Sequence, residues 1–116
     1  MNSETFVEAL RRYVMDAAIE DTIANLKNPP GRRVVRSERE RSDWYNNLPP
    51  EQAEYVDGAI AAAAHQALFG VLAVLDGART VDHEGGRFEL AYVGGRRTLL
   101  NDPQGAGLHD LLNASN

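Results

Sequence analysis

The chain has 116 residues and no cysteine. Disulfides, zinc–thiolate sites and thiol nucleophiles are therefore excluded, and the redox compartment is left open. It also lacks an excess of positive charge. Twelve Lys and Arg stand against 17 Asp and Glu, for a formal net charge of −5. That balance speaks against general nucleic-acid binding, which needs a basic face to neutralise phosphates. The opening MNSETFVEALRR has no apolar run behind a basic start, so no secretory signal is expected. No internal repeat, low-complexity tract or linker divides the chain, and a single domain over 1–116 is expected. His65, His83 and His109 fall at no metal-ligand spacing, and Ser3, Ser37, Ser42 and Ser115 belong to no nucleophile elbow. The expectation is a chain with neither metal nor other cofactor and no catalytic residues.

What is present is patterned for an α+β fold. The stretch around which the rest is arranged is Ala59–Leu75, AIAAAAHQALFGVLAVL, interrupted only by His65, Gln66 and Gly70. A helix that is apolar all round wants cover all round. The sequence therefore predicts a buried central helix over about 50–76. Pro50 suits its first turn, Glu51, Glu54 and Asp57 complement the positive end of its dipole, and Gly77 is its expected left-handed cap. At 17 residues, with His and Gln near its centre, the run is at the short limit for crossing a bilayer. A core helix in a cytoplasmic protein, with no membrane partner, is expected instead.

Before it, the pattern predicts a long helix over Thr5–Leu26, capped by Ser3 or Thr5. Phe6, Leu10, Tyr13, Val14 and Ala17 share its inner face, and Ile19, Ile23 and Leu26 continue that face with some drift. Asn28-Pro29-Pro30-Gly31 ends it. Arg32–Ser42, with five arginines against Glu38 and Glu40, is the only basic island. A short helix is expected within Asp43–Leu48, with Trp44 and Leu48 on one face. After Gly77 the period becomes alternating. A weak strand over Ala78–Asp82, a strand over Arg87–Val93 with Phe88, Leu90 and Tyr92 on one face, a two-residue Gly94-Gly95 turn and a return over Arg96–Leu100 make a two- or three-stranded antiparallel meander. Asn101–Gly105 reads as a turn, Leu108–Leu112 as a short helix and Asn113–Asn116 as a frayed end.

The segments WYNNLPPEQAEYV, ALFGVLAVLDG and ELAYVGGRRTLLNDPQGAGLHDLL give the chain, from about Asn28 onward, a pattern that resembles a family of small bacterial α+β proteins. The resemblance assigns no chemistry to any residue. Small acidic proteins of this type include immunity partners of polymorphic toxins, and it implies an inhibitor of that kind.

Two functional readings follow. The first is a non-enzymatic protein-binding domain whose most concrete form is toxin immunity by occlusion. Arg33, Arg36, Trp44 and Tyr45 supply residue types that dominate interface hot spots, and Glu51, Glu54 and Asp57 suit a basic partner such as a toxin domain. The plainer account of those residues is a solvated loop anchored by Trp44 and a helix start balanced by acids. The second reading is a small-molecule or enzymatic pocket between the central helix and the meander, lined by His65, Gln66, Tyr92 and His109. Its plainer account is a core histidine and solvated loop histidines. Surplus apolar surface on the two long helices also suits a homodimer.

Overall fold

The computed structural model describes residues 1–114. It is an α+β fold of helices and one two-stranded antiparallel sheet. The first helix begins as α1 (Ser3–Leu10), turns π-helical over Arg11–Asp16 and continues as α2 (Ala17–Lys27). Asn2, and neither Ser3 nor Thr5, caps it: the Asn2 carbonyl oxygen Oδ1 accepts from the Thr5 backbone N–H at 2.8 Å. Ser3 is drawn off to donate to the Leu100 carbonyl at 2.6 Å. The π-helical turn accounts for the drift in the apolar pattern, because a wider turn changes the phase between the faces before and after it. Val7 and Met15 are buried, whereas Tyr13 and Val14, expected on the inner face, point outward. Tyr13 carries the Arg12 guanidinium over its ring at 5.5 Å.

The two prolines end that helix, and α3 (Arg36–Asn46) follows. It starts seven residues earlier than the expected short helix and takes in three of the five arginines of the basic island. Arg36 donates to Glu40 at 2.7 Å one turn on, and Arg39 donates back to the Val34 carbonyl. The i,i+4 pair and this backbone contact support a helix whose faces are nearly all polar. Then α4 (Pro50–Leu75) runs back beside α2 and the π-helical turn, with Pro50 in its first turn as expected. It ends in a Schellman cap: Gly77 has φ +77°, its N–H reaches the Val74 carbonyl, and the Ala78 N–H reaches that of Ala73.

Ala78–Asp82 is not a strand. It is irregular chain tied to the end of α4 by the Ala78 and Arg79 amides. The strands are β1 (Ala91–Val93) and β2 (Arg97–Leu99), paired Ala91↔Leu99, Tyr92↔Thr98 and Val93↔Arg97. The connection is therefore three residues, Gly94–Arg96, where two were expected. Neither Gly94 nor Gly95 takes the positive φ that a two-residue primed turn requires. Of the expected greasy face only Leu90 turns inward, while Phe88 and Tyr92 are exposed. Last comes α5 (Leu108–Ala114), which includes Asn113 and Ala114 of the expected frayed end; Ser115 and Asn116 lie outside the described residues.

The core sits at one end of the molecule. Val7, Leu72, Leu108 and Leu112 are its buried centre, with Phe6, Leu10, Leu68, Phe69, Leu75, Leu90 and Leu111 packed around them. Asn101, expected only to turn the chain, is the clip of this end. Its amide donates to the Leu75 carbonyl at 2.7 Å and the Phe88 carbonyl at 2.9 Å, and its Oδ1 accepts from the Leu90 N–H at 2.8 Å.

The expectation that α4 is covered all round is not met within one chain. Gly70, Leu72 and Ala73 are its only buried residues among those described. Between the two ends the molecule is a single layer of two helices, and a single layer covers one side of each. The chain measures 50 × 34 × 29 Å, with a radius of gyration of 18.1 Å. A compact domain of this length has a radius of about 13 Å.

Candidate functional site

The best-formed concavity lies at the end opposite the core, where α2, the Pro29-Pro30 break, α3 and α4 meet. It has a volume of about 460 Å³. Thr22, Asn25 and Leu26 come from α2, Glu38, Arg41 and Trp44 from α3, and Val56 and Ile60 from α4; Pro29 and Pro30 complete the wall. The prolines make this geometry, because neither can continue the helical ladder and the chain must turn away, leaving a gap under α3. The floor is aliphatic, the rim carries one charge of each sign, and the Trp44 indole is 53% exposed. A half-exposed tryptophan at the mouth of an apolar groove can receive a partner's side chain and stack on it.

The residues expected to bind a partner divide in two. Arg33, Arg36, Trp44, Glu51 and Glu54 are exposed at this end of the molecule. Tyr45 is not a surface anchor: it is 5% exposed, and its hydroxyl donates to Asp57 Oδ1 at 2.8 Å. That bond, then burial, then the nearby carboxylate charge raise the Tyr45 hydroxyl above its ordinary pKa. Tyr45 and Asp57 therefore pin α3 to α4. Arg36 is spoken for by Glu40 in an exposed pair of the kind that contributes little stability.

The four residues of the expected pocket have separate tasks. His65 stacks on Phe69 at 6.2 Å between ring centroids, and Phe69 meets His109 edge-on at 5.4 Å, so a phenyl ring separates the two histidines. The His65 Nε2 is buried with no hydrogen-bond partner among the described residues. Gln66 is exposed on another face of α4. Tyr92 lies against Gly94 and lines a shallow hollow with Met1, Asn2 and Thr5. His109 belongs to a structural clasp. Asp76 Oδ2 accepts its backbone N–H at 2.9 Å and lies 2.5 Å from Nδ1, which fastens the end of α4 to the start of α5. A carboxylate only accepts, so Nδ1 is the ring nitrogen that carries the proton in that contact.

Among the described residues, no three His, Cys, Asp or Glu stand where they could hold a metal ion. One helix, Pro50–Leu75, is long and apolar enough to cross a membrane by length and composition. Its neighbours α2 and the π-helical turn carry the exposed charges Arg12, Asp16, Glu20 and Asp21, which are costly in a bilayer.

Sequence reasoning found Trp44 and missed the groove beneath it. Leu26, Pro29, Val56 and Ile60 are up to 34 positions apart, and only the crossing of α2, α3 and α4 brings them together. No family model, curated protein or solved structure matches the chain.

Proposed function

We propose that the chain is a cytoplasmic protein-binding domain without catalytic chemistry, and that it acts as an acidic inhibitor of the toxin-immunity kind. The observation that carries this reading is the aliphatic groove under α3 with Trp44 half exposed at its mouth. An apolar side chain of the partner fills the groove and packs on the indole. The net charge of −5, with Glu51 and Glu54 exposed close by, draws in a basic partner and covers its working surface.

The test is capture of partners from a bacterial lysate by the tagged full chain, at physiological and at high salt, with mass spectrometry. One stoichiometric basic protein, released by salt and lost with Trp44→Ala, is the expected result. Glu54→Lys should slow its association, since rim charges act mainly on the on-rate. Asp57 is left alone in this design because its carboxylate holds Tyr45. Capture that is indifferent to Trp44 and to salt would remove the reading.

A further inference from the structure

One long face of α4 is bare. Tyr55, Gly58, Ala59, Ala62, Ala63, Gln66 and Ala67 are all exposed, on the side of the helix away from α2, and none is charged. Tyr55, at one end, is 80% exposed. At the other end the face is closed by the Arg79 guanidinium, which lies so close over Gly70 that a Cβ there would meet its Nη1 at 2.6 Å. We propose that a second copy of this chain covers this face, with the two α4 helices antiparallel about a two-fold axis between Ala62 and Ala63.

Three observations choose this occupant. The first is area. The chain exposes 8409 Å², against about 6,200 Å² for a compact protein of its mass. The surplus, about 2,200 Å² per chain, is spread over the whole elongated surface, and it leaves room for the burial of about 800 Å² per chain in a stable dimer. The second is symmetry. A two-fold interface is self-complementary: whatever stands at one end of the face must fit what stands at the other. Tyr55 and Gly70 are equidistant from the 62–63 midpoint, so each Tyr55 ring meets the other copy's Arg79, a cation over an aromatic face. The middle of the contact is alanine on alanine, which allows the helix axes to approach to about 8 Å. The third is charge. Among the described residues neither Arg79 nor Glu51 has an ion-pair partner within its own chain. The antiparallel arrangement brings Glu51, one turn before Tyr55, up to the second copy's Arg79. With two copies, α4 lies between its own α2 and the other α4, and its all-round apolarity is used.

The face is distinct from the α3 groove and shares with the proposed function only Glu51, so this inference is tested at Ala63 and Tyr55, apart from that reading. The experiment uses the full chain, whose lack of cysteine gives a clean background. Light scattering after size exclusion should give twice the 12.7 kDa of one chain. Ala63→Glu, which sets two carboxylates against each other at the axis, should give the single-chain mass with unchanged helical circular dichroism. Ala63→Cys should form a disulfide-linked dimer on oxidation. Tyr55→Cys should not, because the two copies of residue 55 are about 22 Å apart along the axis at 1.5 Å per residue. A single-chain mass for the wild type at all concentrations overturns the proposal. So does a dimer that survives Ala63→Glu, or one that cross-links through position 55 and is therefore parallel. Recovery of the wild type only with membranes or detergent overturns it as well and assigns the face to lipid. If Ala63→Glu fails to fold, the two cysteine variants decide the question.

Discussion

Asn101 shows how much one buried amide can hold. Two donors and one acceptor of its side chain are matched by the Leu75, Phe88 and Leu90 backbones, and the residue is 6% exposed. Asn101→Ala leaves those three groups without the amide that satisfied them and should cost about 2–3 kcal/mol in urea unfolding. Asn101→Asp keeps the shape but turns an acceptor toward two carbonyl oxygens, so it should cost more than alanine does. A smaller loss for Asp than for Ala would show that the clip works by shape alone. Tyr45 makes a prediction in pH. Its hydroxyl pKa is raised above the usual value of about 10, chiefly by the bond to Asp57. The folded state thus holds that proton more tightly than the unfolded state does. The stabilisation is complete below about pH 10 and is lost as pH rises through that region and beyond. Tyr45→Phe should be less stable by about 1 kcal/mol at neutral pH. The gap to wild type should close above pH 10, as read by denaturant unfolding at a series of pH values. A constant gap across that range would separate the pair from the alkaline loss.

Within the elements, two glycines of the same stretch have opposite roles. Gly58 is in mid-helix in α4, with nothing within 4 Å of where a Cβ would stand, and Gly77 has φ +77° in the cap. In the single-chain Ala63→Glu background, where nothing covers it, Gly58→Ala should stabilise the fold by about 0.5–1 kcal/mol, the ordinary helix gain. Gly77→Ala should destabilise it by about 1–2 kcal/mol, because an L side chain is strained in the left-handed region. Thermal melts of the two variants, moving in opposite directions, check both. The Gly77 cap and the Pro50 start were legible in the sequence because caps are local chemistry written in adjacent residues. The α3 helix was not: RSERERSDWYN has no apolar period, and its support comes from Arg36–Glu40, the Arg39–Val34 contact and the Tyr45–Asp57 bond. The π-helical turn was visible only as a drift between Leu10 and Ile19. For the site, Trp44 was legible by type. Tyr45 was misplaced, since whether an aromatic beside it faces solvent or α4 depends on a helix phase that the sequence did not show.

At the scale of the molecule, the sequence and the single chain pose one question about α4. Its composition is that of a helix in the middle of a packed body, yet one copy covers it on one side and reaches a radius of gyration of 18.1 Å. The proposed second copy would resolve the difference, and stability would then rise with concentration, because association adds to the stability of the folded chain. The melting temperature of the wild type should rise by about 3 °C for each tenfold increase in protein concentration, from the entropy of unfolding two chains of this length. Ala63→Glu should melt at one temperature throughout, since its folded state no longer includes a partner copy. Trp44→Ala should keep the wild-type slope, because the α3 groove and the bare face of α4 lie on different parts of the surface. A slope carried by Trp44 and absent at Ala63 would move the self-contact to the groove, and the groove could then no longer be the site that receives a basic partner.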